Sequence, residues 1–345
     1  MYRHMKAIVY TQHGGTGVLT LAEWPVPEPG AGEVRVRVRV SGVNPTDWKT
    51  RQGLTAVGEL AEQVPNQDGS GVIDAVGEGV SPARVGERVW LWLAAFGRPH
   101  GGTAQEYVLL PERNAVVLPG DASYELGAAL GVPALTAHRC LTVADGGPAR
   151  LAPGTLEGRT VLVAGGAGAV GNAAIQLARW AGATVVTTVS GARKAELAKA
   201  AGAHHVVNYR DEDAAQQIRE LVPDGVGIVV EVSPAVNAGL DVAVAAPNAV
   251  VAFYANNGGD AITLPVRASM APNLRWQGVL LYTVPDDAVA NGIADVSAAV
   301  AEGALRVGEE AGLPLHRYPL DRTGEAHAAV EGNTVGKVLV EVSAD

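Results

Sequence analysis

Two textures of hydrophobic and polar positions divide the chain. Up to about residue 131 the apolar runs are short and often alternate: KAIVY, LTLAEWPV, EVRVRVRVSGV, SGVIDAVG, RVWLWLA and AQEYVLLP, parted by clusters of Gly, Pro, Asn and Asp. A period of two predicts half-buried strands, and the turn-rich spacers suit a barrel or sandwich. Alternation is strict in VRVRVRV (Val34 to Val40), so Arg35, Arg37 and Arg39 share one face, expected to be solvated rather than an anion site. From about Ala128 the texture changes. GAALGVPALTAHRCLTVA has helix length, with a break expected at Pro133. Beyond it, strands are predicted at Thr160–Ala164, Thr184–Val189, His205–Asn208, Ile228–Val232, Ala249–Tyr254 and Gly278–Tyr282. Helices are predicted at Val170–Ala181, Lys194–Ala201, Ala214–Leu221, Ala235–Val244 and Met270–Leu274. Six strands with helical crossovers make an α/β class with a doubly wound parallel sheet. The tail adds a helix near Asp287–Glu302, HRYPL, a helix at Gly324–Val330 and a last strand, GKVLVEV.

Composition narrows the picture. A chain of 345 residues exceeds one ordinary core, so two domains are expected. Hydrophobic residues are 48% and charged residues 18%, the balance of a soluble globular protein. A net charge of −10 with no basic run makes nucleic acid an unsuitable partner, because phosphate contacts need clustered Lys and Arg. The single cysteine, Cys140, excludes an intramolecular disulfide and a four-cysteine zinc site; in TAHRCLTV it reads as a small buried helix residue rather than a catalytic thiol. MYRHMKAIVY has no apolar signal core, and no uninterrupted apolar stretch is long enough to cross a membrane, so the expected compartment is the cytoplasm.

The first feature with chemical content is Gly166-Ala167-Gly168-Ala169-Val170-Gly171, which fits G-x-G-x-x-G. It follows a strand-type run, TVLVAG, and opens a helix-type run, NAAIQLARWAGA, which is the context a dinucleotide fold requires. The first glycine is expected to make the tight turn. The second lets backbone approach a pyrophosphate, and the third lets helix pack on strand. The helix start offers free N–H groups to phosphate oxygens. About 20 residues on, an Asp or Glu normally holds the adenosine ribose 2′-hydroxyl. Here Ser190 is followed by Arg193 and Lys194, and no acid precedes Glu196. A neutral and basic set suits a 2′-phosphate, so NADPH is predicted over NADH; Tyr209, after the third strand, can add a hydroxyl. The plainer alternative makes Arg193 and Lys194 a solvated first helical turn.

In its order of motifs the chain resembles the medium-chain dehydrogenase/reductase superfamily, and within it the zinc-free quinone oxidoreductase branch that includes zeta-crystallin. The segments that carry the resemblance are GVNPTDWKTRQG (Gly42–Gly53), NQDGSGVIDAVGEGV, VGERVW, GGTAQEYVLLP, GVPALTAHRCL, AGGAGAVG, GAHHVVNYRDED and GKVLVEV. The resemblance implies a GroES-like β-barrel catalytic domain from 1–131 and 284–345, with a Rossmann domain at 132–283 and a nicotinamide cleft between them. It also implies NADPH as hydride donor and a homodimer joined through sheet edges near WQGVLLY. Zinc-dependent members have a Cys where Asn44 stands and a His-Glu pair where Gln67-Asp68 stand; Asn and Gln are poor zinc ligands, so no metal is expected. By the same resemblance, Asn44 lies near the nicotinamide ribose and substrate, and Thr136 near the nicotinamide end. Tyr254, Asn256, Leu281 and Tyr282 fall where family members contact the cofactor, Lys194 and Tyr209 hold the 2′-phosphate, and Ser233 lies by the adenine. Where branch members often carry Tyr, this chain has Lys49. Arg51 matches the family pattern, with a surface-packing role as its plainer alternative.

Without metal, the expected chemistry is hydride transfer from the nicotinamide to an electron-poor acceptor, a quinone or an α,β-unsaturated carbonyl, with the protein setting orientation and polarity. Charge developing on the carbonyl oxygen can be met by Asn44, Lys49 or a backbone N–H. Asp47 is a candidate proton source, with a turn or cap as its plainer role. The alternatives are an enoyl-thioester reductase and a non-catalytic NADPH-binding or RNA-binding protein of zeta-crystallin type.

Overall fold

A computed structural model describes residues 4–55, 61–210 and 213–343. The chain divides into two compact units, Met1–Val132 with Leu315–Asp345, and Pro133–Pro314. Asp211 and Glu212 of the quoted NYRDED segment lie outside the described residues.

The first unit opens with an antiparallel pair, β1 (His4–Val9) and β2 (Thr20–Pro25). Next come β3 (Glu33–Val43), α1 (Pro45–Arg51), β4 (Asp68–Val76), β5 (Arg88–Leu91), β6 (Tyr107–Pro111) and β7 (Ala115–Val117). The short α2 (Tyr124–Gly127) leads to α3 (Gly131–Leu141), within which the boundary between the units falls. In β3 the alternation does what it predicts: Val34, Val36 and Val38 are fully buried among Ile73, Val89 and Leu110. Each such valine contributes about 1.5–2 kcal/mol of transfer free energy. The arginine face is not simply solvated, however. The Arg35 guanidinium donates to both carboxylate oxygens of Asp74 (2.8 and 3.2 Å) and to Glu28, leaving its side chain 12% exposed. Nor does Pro133 break its helix. It sits in the first turn of α3, where a missing N–H costs no intrahelical bond.

The second unit carries β8 (Thr160–Ala164), α4 (Ala169–Trp180), β9 (Thr184–Val189), α5 (Ala192–Ala200), β10 (His205–Asn208) and α6 (Ala214–Leu221). It continues with β11 (Val226–Glu231), α7 (Pro234–Val244), β12 (Ala245–Phe253), α8 (Val266–Met270), β13 (Arg275–Gly278) and α9 (Asp286–Ala301). The strands form one parallel sheet in the order β10-β9-β8-β11-β12-β13, a doubly wound sheet whose direction of growth reverses between β8 and β11. Its central strands are buried on both faces, which is why they read as unbroken Val-rich runs. The sixth strand is Arg275–Gly278, not Gly278–Tyr282. Arg275–Gly278 pair with Val250–Phe253, and the apolar residues after them turn as a 3₁₀ segment, Leu281–Thr283, ahead of Pro285. Likewise the helix expected at Met270–Leu274 is α8.

α9 belongs to this second unit, so the segment 284–345 is shared between the units. Asp295 is the reason: its carboxylate takes His138 Nε2 of α3 at 2.8 Å, the Leu151 N–H at 2.7 Å and Arg150. Those partners lower its pKa from the ordinary carboxylate value despite its burial. The chain then returns to the first unit as β14 (Leu315–Pro319), α10 (Thr323–Glu331) and β15 (Lys337–Glu341). There β15 pairs antiparallel with β3 in a sheet ordered β14-β15-β3-β4-β5-β7, with β6 also on β3. No helix among the described residues is long and apolar enough to cross a membrane.

Candidate functional site

The glycine-rich turn leaves β8 at the switch point and enters α4, as its sequence requires. The left-handed turn is taken by Gly165 (φ +71°), one residue before the motif. A Cβ on Gly166 would stand 2.2 Å from Thr187 Oγ1, and one on Gly171 would stand 2.4 Å from the Gly165 carbonyl oxygen. Both glycines are therefore demanded by the protein's own packing. Gly168 differs: a Cβ there would meet nothing nearer than 3.5 Å, so its missing side chain leaves open space. Gly168 is also the N-cap of α4 and gives it no side-chain cap. The first-turn N–H groups of Ala169, Val170 and Gly171 have no acceptor inside the helix. A cap-free helix start behind an open glycine fits a pyrophosphate.

The adenosine end is assembled by strand pairing. Asn208 lies opposite Val189 and the Tyr209 N–H donates to the Val189 carbonyl at 3.0 Å, which sets Tyr209 beside Ser190 at the C-terminal ends of β9 and β10. Lys194 Nζ donates to Ser190 Oγ at 2.9 Å. Ser190, Lys194 and Tyr209 thus come together, and among the described residues no carboxylate pairs with Lys194. Arg193 is held elsewhere, paired with Glu309 and, at 3.4 Å, with Glu196. The set fits a phosphate with Lys194 as its cation.

The other expected contacts of the second unit follow β11, β12 and β13 or lie in α3. Ser233 is the N-cap of α7, its N–H donated to the Glu231 carboxylate. Tyr254 directly follows β12, its N–H donated to the Glu231 carbonyl at 3.1 Å; burial pushes its phenol well above the ordinary range, with the Cys140 and Glu231 charges adding to it. Asn256 is exposed and bonded to Asp260. Leu281 and Tyr282 sit in the 3₁₀ turn rather than on a strand, Leu281 buried and Tyr282 half-buried. Thr136 is buried in α3. Cys140 is a buried thiol whose pKa burial raises, in keeping with a packing role.

In the first unit, Asn44 caps α1 and lies at the centre of a buried polar cluster. Its Oδ1 accepts from Lys337 Nζ at 2.7 Å and its Nδ2 donates to Asp68 Oδ2 at 2.7 Å, which fixes the carboxamide in one orientation. Asp68 also accepts the Val132 N–H at 2.9 Å, and its Oδ2 lies 3.8 Å from Lys337 Nζ. Asp47 accepts the Asn44 and Gln67 N–H groups at 2.7 and 3.1 Å. Burial, with the nearby Asp68 charge, pushes Asp47 up to about 8, while burial draws Lys337 down. Asp47 is thus both a cap and a buried acid. A second chain of bonds runs from Asp68 through Thr103, Ser41 and Asn66 to His327. Lys49 lies in the last turn of α1, its Nζ 5.9 Å above the Trp48 ring, and Arg51 is buried against Glu331 at 2.9 Å. Sequence reasoning missed Asp68, Lys337, Asn66 and His327 as partners. The one available signal was Lys337 itself, a charge placed directly before the apolar run Val338–Val340.

These donors do not suit zinc. An ammonium already occupies Asn44 Oδ1 and faces Asp68, and the Asn44 amide supplies Asp68 with a further proton donor. The cluster meets its own charge.

The chain matches the alcohol dehydrogenase GroES-like domain over residues 30–120 and the zinc-binding dehydrogenase family over 169–298. It is 30% identical to a quinone oxidoreductase of Lama guanicoe, covering 98% of each chain. Among solved structures, it resembles a mycobacterial protein complexed with NADPH at TM-score 0.80 and 30% identity, over 98% of this chain and 99% of that one. It also resembles an NAD-dependent alcohol dehydrogenase at TM-score 0.82 and 29% identity, over 98% of this chain and 100% of that one.

Proposed function

Since the chain belongs to the quinone oxidoreductase branch of the medium-chain dehydrogenase/reductase superfamily, we propose that it is an NADPH-dependent, zinc-free reductase of quinones or α,β-unsaturated carbonyl compounds. The observation that carries this reading is the adenosine end. Ser190, Lys194 and Tyr209 meet where a ribose-binding acid would stand, and Lys194 pairs with a hydroxyl rather than a carboxylate. The NADPH complex of the mycobacterial neighbour supports it.

NADPH, when bound, supplies a hydride. Gly168 and the first turn of α4 hold its pyrophosphate, and Lys194 with Ser190 holds the 2′-phosphate. Ser233, Tyr254, Asn256, Leu281, Tyr282 and Thr136 line the remainder of its course. Lys337 and Asp68 keep the Asn44 carboxamide in one flip. The Asn44 Nδ2 carries a second N–H beyond the one given to Asp68, and that N–H can meet an acceptor's carbonyl oxygen as charge grows on it. Lys49 is a second donor for the same oxygen. A homodimer through the edge strand β13 belongs to the same reading, supported by the exposed Val266, Met270 and Leu280 on the segments flanking it.

The test is to titrate NADPH and NADH separately, then follow NADPH oxidation with quinones, enones and enoyl-CoA esters. Tighter NADPH binding with turnover of quinones or simple enones is expected. Preference for NADH with alcohol oxidation would place the chain beside its alcohol dehydrogenase neighbour instead. Turnover confined to enoyl-CoA esters would make it a thioester reductase, and binding without any turnover would leave a binding protein.

A further inference from the structure

We propose that Glu309 moderates the NADPH preference of this chain by holding Arg193 away from the 2′-phosphate. The proposal rests on the NADPH reading and concerns the same end of the site. Two adjacent cations open α5 and they behave differently. Lys194 turns back to Ser190 Oγ at 2.9 Å, whereas Arg193 pairs with Glu309 on a segment more than a hundred residues later. Glu196, at 3.4 Å, is a second carboxylate on the same guanidinium.

The position of Glu309 is built into the backbone. Gly308 and Leu313 exchange backbone hydrogen bonds at 2.9 Å, closing a tight loop around it. Ala311 is fully buried, and its carbonyl takes Asn172 Nδ2 of α4 at 2.8 Å. Gly312 lies at φ +75°, and a Cβ there would stand 2.0 Å from the Leu197 carbonyl oxygen of α5. The loop is therefore seated on the helix that holds the pyrophosphate turn and on the helix that holds Lys194. Its carboxylate is thereby delivered to Arg193.

The electrostatic consequence is simple. The charges of Arg193 and Lys194 are matched by those of Glu196 and Glu309, so the first turn of α5 is neutral overall. A 2′-phosphate of about −2 charge draws on Lys194, Ser190 and the helix start, and must compete with Glu309 for Arg193. Both members of the Arg193–Glu309 pair are more than half exposed, so the competition is modest: its removal tightens NADPH by roughly two- to fivefold.

The experiment is a double-mutant cycle on the full chain, with Glu309→Gln, Arg193→Ala and the double variant, reading NADPH and NADH dissociation constants by fluorescence titration. Glu309→Gln is expected to tighten NADPH roughly two- to fivefold and to leave NADH unchanged. Arg193→Ala alone should change NADPH little, yet should abolish the gain in the Glu309→Gln background. If Arg193→Ala weakens NADPH equally in both backgrounds, Arg193 already serves the phosphate and the proposal is overturned. An unchanged NADPH-to-NADH ratio in Glu309→Gln overturns it too, with the NADPH reading intact. Preference of the unmutated chain for NADH overturns both.

Discussion

His327 is expected to make the first unit acid-labile. Its imidazole is fully buried in α10, with Nε2 bonded to Asn66 Oδ1 at 2.9 Å and Nδ1 without a hydrogen-bond partner among the described residues. Burial, and beside it the Arg51 charge, draws its pKa down to about 3 from 6.5. A histidine depressed in the folded state binds its proton only on unfolding. Stability is therefore whole above pH 6.5 and is lost as the pH falls from 6.5 towards 3. Each pH unit in that window costs about 1.4 kcal/mol, so between pH 7 and pH 4.5 this one group costs about 2.5 kcal/mol. His327→Gln keeps a donor for Asn66 and cannot titrate. Urea unfolding of both proteins at pH 7 and 4.5, read by hydrogen exchange in peptides spanning α10 and β15, isolates the term as a difference of differences. The variant should lose about 2.5 kcal/mol less than the parent over that interval, whatever its own stability at pH 7. Equal losses in the two proteins would show that His327 is not held neutral by burial, and the reasoning would fail.

Four further outcomes are expected. Lys194→Ala should weaken NADPH by roughly 10- to 100-fold, the worth of one charge-assisted bond, and leave NADH nearly unchanged; equal weakening in a binding titration would remove the phosphate role. Gly171→Ala forces a Cβ to 2.4 Å from the Gly165 carbonyl, so cofactor affinity measured by calorimetry should fall at least about tenfold. Asp241 is pushed up to about 9 by burial and the neighbouring Glu231 charge, so its folded form keeps a proton and stability declines as pH rises from about 4 to 9. Asp241→Asn should flatten that decline in denaturation curves, and a variant whose stability falls with pH as steeply as the parent's would contradict the buried proton. Lys337→Met leaves Asp68 buried without its cation and should cost about 3–5 kcal/mol, most of it recovered by adding Asp68→Asn; a single variant as stable as its parent would contradict the buried pair.

What was legible in the sequence is what neighbours in sequence decide. The β8, β9 and β10 bounds are those the apolar runs predict: β8 and β9, buried on both faces of the parallel sheet, are nearly continuous in apolar and β-branched residues, and the edge strand β10 keeps a Val pair between His205 and Asn208. The glycine turn was legible because its packing demands come from residues close along the chain, Gly165 on Gly171 above all. Legibility failed first at the sheet edge, where GVLLY looks like a strand but only pairing with Val250–Phe253 picks out Arg275–Gly278. It failed again where the partner is remote. Lys337 reaches Asn44 across 293 positions and His327 reaches Asn66 across 261, and no local pattern marks either. The sequence alone determined the doubly wound sheet, the glycine-rich turn between β8 and α4 and the lack of an acid between Val189 and Glu196, since each follows from periodicity or from residue type at a fixed spacing. Only the tertiary structure decided that Lys194 and not Arg193 stands with Ser190, and that Asn44 is held between Lys337 and Asp68. Those pairings depend on which backbones approach, and on which buried charges must then find one another.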